Sequence, residues 1–227
     1  MSFSANAVRL QKFGEKCSKY YTQEGAAKIM KRDEIRQKLI DGTIHVIAEG
    51  GLDKATTKQI GTETAVNEAY IYRCFAGKED LFASVYSFLD NELLDKTMEC
   101  VPVMYDATIE FKQRCRTFFF GVWRFLLSNS EKCLAYVRYY YSPYFKKYSY
   151  AIHEARFKPL VEKFSIAFIE EADVWMILNH ILDVMLSFSV KVHNGLMSED
   201  DNYGEHVFRV LYESIKQYLI TTQEKGA

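Results

Sequence analysis

The chain contains few of the residues that interrupt helices. Its 227 residues include only three prolines and 11 glycines. Proline removes a backbone donor and glycine weakens a helix interior, so a low content of both favours long helices joined by few turns. Strands are not indicated, because no segment shows sustained alternation of apolar and polar residues. The sequence therefore predicts an all-α fold of about nine helices.

Several classes of protein lack their usual signatures here. No uncharged apolar run reaches about 18 residues, and the N-terminus lacks the charged-then-apolar pattern of a signal peptide, so we expect a cytoplasmic protein with no membrane partner. The five cysteines are widely spaced without a C-x-x-C pair, which argues against a disulfide framework and a zinc site. His153-Glu154 and the pair His180 and Asp183 lack the H-E-x-x-H spacing. We therefore predict no metal, no cofactor and no enzymatic activity.

Excess positive charge is also missing. The formal net charge is −1 and the isoelectric point is about 6.5. Residues 31–82 contain eight basic and nine acidic residues. Nucleic-acid-binding domains often carry a basic excess. If this region binds DNA, its positive charge must be concentrated on one face while the acidic residues point elsewhere.

The stretch from Thr56 to Leu81 carries apolar residues at a spacing that one continuous helix does not explain. Ile60, Val66 and Ile71 do not fall on one face of a single helix. They fit two short helices that cross and share a small core, and we expect Val66 and Ile71 to lie in that core with Phe75. This spacing predicts a helix-turn-helix unit.

Capping signals place the ends of these helices. Thr56 followed by Gln59 is a capping box, so one helix should start just after Thr56. Asn67 is a good N-cap for the second helix. Before them, Arg32–Glu49 has the single apolar stripe of an amphipathic helix.

The motifs of this region resemble the DNA-binding domain of the TetR (tetracycline-repressor-like) family of transcriptional regulators, over residues 32–81. The matching motifs, in order, are Thr56-Thr57, Ile60-Gly61, Ala65-Val66-Asn67, Ile71-Tyr72-Arg73-Cys74-Phe75 and Lys78-Glu79-Asp80-Leu81. Several positions depart from the family pattern. Ala65 replaces the usual glycine, Gly61 replaces the usual alanine, and Cys74 stands where an aromatic residue is common. Ala69 and Tyr70 stand where small residues are frequent, which affects base preference and leaves the expected fold unchanged. If the backbone at Ala65 is left-handed, alanine there costs about 1 kcal/mol relative to glycine.

Two groups of residues are predicted to contact DNA. A recognition helix starting at Asn67 would present residues near its N-terminal end to base edges in a major groove. These residues are Asn67, Glu68, Ala69, Tyr70 and Arg73. Hydroxyl groups and a lysine at a helix N-terminus suit phosphate oxygens, and these groups belong to Thr56, Thr57, Tyr72 and Lys78. The resemblance implies the same role for Thr57, Tyr72 and Lys78. Glu68 either accepts a hydrogen bond from a cytosine amino group or repels phosphate, and the stretch as a whole has the alternative of a helical hairpin used only for packing.

Aromatic residues are concentrated after residue 100, on helices that should pack together. A mostly apolar cavity with a few polar groups is typical of a small-molecule site. The alternative is that the aromatic residues are core and the polar ones lie on an outer face. The resemblance favours a cavity, because relatives usually bind an effector in this body. The candidate ligand-binding residues are Phe119, Trp123, Tyr139, Tyr140, Trp175, Asn179, His180 and Asp183.

The last two long helices have wide apolar surfaces. Two such helices can form a four-helix interface with a second copy of the chain. The alternative is that their apolar residues are buried within one subunit. The resemblance favours a homodimer, and reading two half-sites also requires two recognition helices. The candidate interface residues are Leu182, Met185, Phe208, Leu211 and Ile215.

Together these observations predict a ligand-responsive transcriptional regulator. We expect a repressor that binds double-stranded DNA at a palindromic operator as a homodimer and responds to a small apolar or aromatic effector. The expected domains are a flexible extension over residues 1–30, the helix-turn-helix domain over 31–80, and an effector-binding and dimerisation domain over 81–227. The alternative is a helical ligand-binding or protein-interaction module that binds no operator, which the near-neutral charge of residues 31–82 favours.

Overall fold

The structure, a computed structural model, describes residues 31–220. The predicted extension over residues 1–30 lies outside this range. Within it the chain forms nine α-helices and no strand, which confirms the all-α prediction. The helices are α1 (31–50), α2 (Thr57–Thr64), α3 (Ala69–Cys74), α4 (Lys78–Cys100), α5 (Phe111–Ser128), α6 (Ser130–Tyr140), α7 (Tyr150–Phe164), α8 (Val174–His193) and α9 (Asp201–Ile215).

Helices α1 to α3 form a small unit around the predicted apolar residues. Leu39 and Ile47 of α1, Ile60 of α2 and Ile71 of α3 have no solvent exposure. Each short helix buries too little apolar surface to be stable alone, so the shared core holds the unit together. The two-helix reading of the Thr56–Leu81 stretch is therefore confirmed.

Helix α4 belongs to this unit and to the rest of the chain. Leu81, Phe82 and Val85 in its first turns are almost fully buried in the same hydrophobic core as α1 and α3. Further along, the helix contacts α5, α6 and α7. A continuous helix with both ends packed transmits a displacement more directly than a flexible linker would.

Helix α9 begins within an acidic stretch of the chain. Its N-cap is Asp200, whose side chain accepts a hydrogen bond from the Tyr203 backbone nitrogen at 2.7 Å. Gly204 lies inside the first turns of this helix. A Cβ atom at this position would lie 2.9 Å from Cε1 of Phe120 and 3.1 Å from Nε1 of Trp123. The glycine is explained by close packing of α9 on α5.

Helix α8 is unusually apolar for its degree of burial. Among the described residues it is the one helix with the length and apolar composition to cross a membrane, and 22% of its most apolar 18-residue window is buried. It still carries Asp183 and Lys191, and its inner side packs on α5, α6, α7 and α9. Its other side is left as apolar surface within the single chain.

Candidate DNA-binding surface and effector cavities

The start of α2 follows the predicted cap in part. Thr56 is the N-cap, and its hydroxyl accepts a hydrogen bond from the Gln59 backbone nitrogen at 3.1 Å. The return bond of a full capping box is replaced, because the Thr56 backbone nitrogen donates to the Lys54 carbonyl at 2.8 Å. The hydroxyl of Thr57, the first residue of α2, donates to Oε2 of Glu68 at 3.2 Å. This bond ties the start of α2 to the turn before α3.

The recognition helix α3 is short, and its N-cap is Glu68, so the prediction of Asn67 as the N-cap is wrong by one residue. Oδ1 of Asn67 accepts a hydrogen bond from the Ala69 backbone nitrogen at 2.9 Å. Asn67 therefore satisfies a free donor at the helix start, although the first helical residue is Ala69, two positions later. Gly61 lies beneath this turn, where a Cβ atom would stand 3.0 Å from the Val66 carbonyl oxygen. The glycine that departs from the family pattern thus permits close approach of the turn to α2.

The turn between α2 and α3 contains a left-handed alanine. Ala65 has φ 50° and ψ 31°, and it is the one non-glycine residue with positive φ in residues 31–220. Its backbone nitrogen donates to the carbonyls of Gly61 and Thr62, which closes the end of α2. Ala65 therefore has the left-handed backbone in which alanine costs about 1 kcal/mol relative to glycine.

Ala65→Gly is expected to raise the free energy of unfolding by about 0.5–1 kcal/mol. Glycine adopts the left-handed conformation without the Cβ clash, while its larger unfolded-state entropy offsets part of the gain. Urea unfolding followed by circular dichroism measures the change. Ala69→Gly, within α3, serves as the control and should be destabilising. A destabilised Ala65→Gly protein would contradict the argument.

Two arginines hold the far end of α3, and the sequence pattern did not reveal them. The Arg36 guanidinium donates to the Cys74 carbonyl at 2.9 Å and to Oγ of Ser84 at 3.0 Å, and lies 4.2 Å from the Phe75 ring centre. Arg32 donates to the Arg73 carbonyl at 3.1 Å. Positive groups at carbonyls that end a helix are favourable. Arg32 and Arg36 therefore position α3, and their charge is partly used within the protein.

Most of the predicted DNA-contacting residues are exposed to solvent. Tyr72 is 64% exposed, and Arg73 lies over the Tyr70 ring with its guanidinium carbon 4.9 Å from the ring centre. Lys78 is the first residue of α4 and lies half-buried over Phe82. Thr57 and Tyr70 are half-buried. The remaining predicted residues are exposed, and these are Thr56, Asn67, Glu68 and Ala69. The buried residues Ile71 and Phe75 are core, as expected.

The body contains two small apolar cavities, which we call cavity one and cavity two. Cavity one, of about 60 Å³, lies between α4, α5, α7 and α8. Cavity two, of about 50 Å³, lies between α5, α8, α9 and the segment after α7. The same four side chains form part of both linings: Phe118, Phe164, Ile181 and Met185. The two spaces are therefore separated by side chains alone.

Three of the predicted ligand residues line these cavities. Trp175 and Asn179 line cavity one, and Phe119 lines cavity two. Trp123 and Tyr139 are buried in the core beside them, where Trp123 stacks on Phe119. The aromatic body thus contains both core packing and cavity lining, as the two readings of the sequence allowed.

The other polar candidates lie elsewhere on α8 or behind the cavity wall. The Tyr140 hydroxyl donates to Oδ1 of Asn179 at 3.3 Å, so it supports a lining residue. Asp183 accepts a hydrogen bond from the exposed Tyr141 at 2.7 Å. His180 is exposed, with Nε2 3.0 Å from the Ser214 hydroxyl. The helical period places His180 and Asp183 on the outer side of α8, because Ile177, Ile181 and Met185 occupy its inner side.

A buried polar cluster borders cavity one, and the sequence reading did not single it out. At its centre is Asp90 of α4, which has no solvent exposure. Oδ1 of Asp90 lies 2.9 Å from Nδ1 of His153 and 3.1–3.2 Å from the hydroxyls of Tyr136 and Tyr86. Oδ2 lies 2.6 Å from Nη1 of Arg156. A carboxylate in the middle of an apolar helix stripe was the available sequence signal.

Burial governs the protonation of this cluster. Desolvation, with the nearby Asp90 charge, raises the pKa of the Tyr86 and Tyr136 hydroxyls well above the ordinary value. Both phenols therefore remain protonated donors to the carboxylate. The cluster joins α4, α6 and α7 through charge-assisted hydrogen bonds.

Comparison with known proteins identifies the first four helices. The family described as bacterial regulatory proteins, tetR family, matches residues 39–85, from within α1 to the start of α4. These residues are therefore similar to the TetR family. The resemblance seen in the motifs from Thr56 to Leu81 is thereby confirmed.

The chain is also similar to part of two curated regulatory proteins. The nicotine-responsive transcriptional repressor of Paenarthrobacter nicotinovorans is 26% identical over 100 residues, which cover 44% of this chain and 50% of that protein. The nucleoid occlusion factor SlmA of Haemophilus influenzae is 33% identical over 72 residues, which cover 30% and 33%. The chain thus spans half the length of the first relative and a third of the second.

The fold likeness extends further than the sequence likeness. A solved TetR family transcription regulator from Marinobacter aquaeolei superposes with a TM-score of 0.67 at 14% identity, over 81% of this chain and 96% of that one. At this identity the likeness establishes the fold. It confirms an N-terminal helix-turn-helix followed by a helical body.

The predicted dimer-interface residues lie on the inner sides of α8 and α9. Met185, Phe208, Leu211 and Ile215 are at most 9% exposed, and the half-buried Leu182 lines cavity one. Within the single chain these side chains pack inside the subunit, which is the alternative that the sequence left open. The period of a helix places a different set on the outer side of the α8–α9 pair. That set, which we call the outer face, consists of Met176, His180, Val184 and Ser187 of α8 and His206, Val210 and Ser214 of α9.

Proposed function

We propose that this protein is a ligand-responsive, DNA-binding transcriptional regulator, and that it acts as a repressor. The observation that carries the proposal is the exposed side of α3. Tyr72 and Arg73 project from a helix whose far end is held by Arg32 and Arg36. Such a rigid helix can enter a major groove without ordering itself first.

Affinity for DNA would come from few charges. Because Arg32 and Arg36 bind carbonyl groups, we propose that Lys58, Arg73 and Lys78, which lie among the predicted contact residues or next to them, supply the positive charge for DNA. Glu68, held by Thr57, opposes this charge. A single copy with three such cations would bind DNA weakly, so we propose that two copies bind one palindromic operator.

The outer face of α8 and α9 supports this dimer. Met176 and Val210 are 56% and 63% exposed, although both are apolar. The hydrogen bond from His180 to Ser214 joins the two helices at this face. Pairing with the same face of a second copy would form a four-helix interface and cover the exposed side of α8.

An effector in the body would act through α4 and α6. Asp90 of α4 belongs to the cluster beside cavity one, and α4 begins in the DNA-binding unit at Lys78. Arg138 of α6 donates to the Ile47 carbonyl of α1 at 2.5 Å. A ligand that favours one arrangement of these helices would change the separation of the two recognition helices and so shift the population that fits DNA.

A salt series on random duplex DNA tests the DNA-binding part. For a dimer with six exposed basic contacts, affinity should fall about 10³-fold between roughly 50 and 200 mM salt. The rival is a helical ligand-binding or interaction module, which the near-neutral charge of residues 31–82 favours. Absence of binding at the lowest salt would support the rival.

Tyr72→Phe is expected to weaken binding to every duplex by a similar factor, about three- to tenfold. The change removes one hydroxyl at an exposed site and leaves the fold intact, so the loss reports a phosphate contact that carries no sequence information. Fluorescence anisotropy with a panel of duplexes measures it. Asn67→Ala is the matched comparison, because it should change the ranking among duplexes. Unchanged affinity of Tyr72→Phe on all duplexes would contradict the phosphate role.

A further inference from the structure

His153 presents one unused nitrogen beside cavity one. The side chain lines the cavity and is only 2% exposed to solvent. Its Nδ1 lies 2.9 Å from the Asp90 carboxylate, which can only accept, so Nδ1 carries the proton. In residues 31–220 no hydrogen bond is formed by Nε2, which in this tautomer is an acceptor. Nε2 is not among the fully buried polar atoms that lack a partner in the described residues, and the side chain that carries it lines cavity one.

A second acceptor lines the same cavity. The Thr97 hydroxyl donates its proton to the Leu93 carbonyl at 2.7 Å, so its lone pairs remain for another partner. Asn179 is already engaged, because its amide donates to the Trp175 carbonyl and its oxygen accepts from Tyr140. Nε2 of His153 and the hydroxyl oxygen of Thr97 can both accept a further hydrogen bond, so they favour a ligand that donates one.

The charges around the cavity favour a neutral donor. The negative charge of Asp90 is paired with Arg156 at 2.6 Å, and two tyrosine hydroxyls satisfy it further. The charges of Asp90 and Arg156 cancel each other. A charged head group would therefore lose its hydration without gaining an opposite charge.

The remainder of the space is apolar. Cavity one is lined by aromatic and aliphatic side chains such as Phe157 and Trp175, and cavity two adds Phe111 and Phe168. Met185, an unbranched and adaptable side chain, stands between them. Movement of this side chain would join two spaces that are each too small for a drug-sized molecule.

We propose that the body binds a neutral, elongated apolar molecule with one terminal hydroxyl, which donates its hydrogen bond to Nε2 of His153 and lies beside Thr97. The apolar part extends from cavity one towards cavity two. That this molecule is the effector rests on the proposed function, while the site itself does not. Acceptance at Nε2 strengthens donation from Nδ1 to Asp90, because hydrogen bonds in a chain polarise one another. The head group thereby acts directly on helix α4.

Three matched probes test the site in the full chain. 4-Butylphenol has the hydroxyl, butylbenzene lacks it, and 4-butylbenzoate carries a charge in its place. Calorimetry, with Trp175 fluorescence as a second readout, should show 4-butylphenol binding about tenfold more tightly than butylbenzene, with 4-butylbenzoate weakest. Equal affinities for 4-butylphenol and butylbenzene, a higher affinity for 4-butylbenzoate than for the other two, or no binding of any probe would overturn the proposal.

Variants assign the hydrogen bond to its residues. His153→Asn keeps a donor near the position of Nδ1 for Asp90 but removes Nε2, so it should lose about tenfold for 4-butylphenol and keep its affinity for butylbenzene within about twofold. Thr97→Val should lose a smaller factor with the same selectivity. Glu154→Gln, exposed on α7 and outside both cavity linings, is the control and should bind both probes normally. If circular dichroism shows that His153→Asn does not fold, the test rests on Thr97→Val and on the ratio of 4-butylphenol to butylbenzene affinity in the unmodified protein. If folded variants keep that ratio unchanged, the assignment of the hydrogen bond to these residues is refuted.

Failure of the ligand site and failure of the regulator role are separable. Binding of duplex DNA without any probe tests the regulator independently of the cavities. If 4-butylphenol binds selectively but leaves DNA affinity unchanged, the hydroxyl site stands and the effector role is excluded for this ligand. If DNA binds but 4-butylphenol does not, the regulator stands and the ligand class is wrong.

Discussion

Replacing Asp90 with alanine is expected to lower the free energy of unfolding by about 3–5 kcal/mol, the range for a buried ion pair broken on one side. The change leaves the Arg156 guanidinium, 2.6 Å from the lost oxygen, without its partner. It also removes the acceptor of His153, Tyr86 and Tyr136 in a site with no solvent exposure. Unfolding in urea, followed by circular dichroism, measures the loss.

Two comparisons make the Asp90 prediction specific. Asp95→Ala changes an exposed carboxylate on the same helix and should alter stability by less than about 0.5 kcal/mol. Asp90→Asn keeps the size of the side chain but not its charge, so its loss in free energy of unfolding should lie between those of Asp95→Ala and Asp90→Ala. A loss below about 1 kcal/mol for Asp90→Ala would show that the cluster contributes little, and it would remove the basis for coupling through α4.

The double change Met176→Glu with Val210→Glu is expected to dissociate the proposed dimer and to lower operator affinity at least about 100-fold. Both side chains are more than half exposed in the single chain, so the subunit should fold normally. In the dimer the four new charges would be buried at one interface without partners. Loss of the second recognition helix removes the avidity of two linked contacts. Sedimentation gives the oligomeric state, and anisotropy gives the DNA affinity.

The control for the dimer variant is Ile166→Glu. Ile166 is apolar and 66% exposed, like Met176 and Val210, but it lies in the segment after α7 and away from the outer face. It should change neither mass nor DNA affinity. A Met176→Glu, Val210→Glu protein that remains dimeric would place the interface elsewhere, and one that becomes monomeric with full affinity would contradict the two-site reading of the operator.

The DNA-binding unit was predictable from sequence because its determinants are local. Thr56, Asn67 and Ala65 act within one or two turns, through an N-cap, a side-chain hydrogen bond to the start of α3 and a left-handed turn. The spacing of Ile60 and Ile71 identifies the core, since a helix of six or eight residues has only one apolar face. Arg36 could not be read in the same way, because its partners lie 38 and 48 residues away.

The body was less predictable, and α8 shows why. Every helical side of α8 carries apolar residues, so periodicity alone does not tell its inner side from its outer side. The sequence reading placed Met185 at the dimer interface and His180 in the cavity, whereas the structure places Met185 in the wall of both cavities and His180 on the outer face. Only packing against α5, α7 and α9 decides which side is buried.

The amino-acid sequence by itself determined the all-α class, the helix-turn-helix and the exposed residues of α3, because these depend on capping, short-range spacing and a recurring motif. Tertiary structure decided the rest. It brought Asp90, His153 and Arg156 together from helices more than 60 residues apart, and it divided the apolar body into two cavities. Such long-range pairings leave no local pattern, since each partner alone is only a polar residue on an apolar helix.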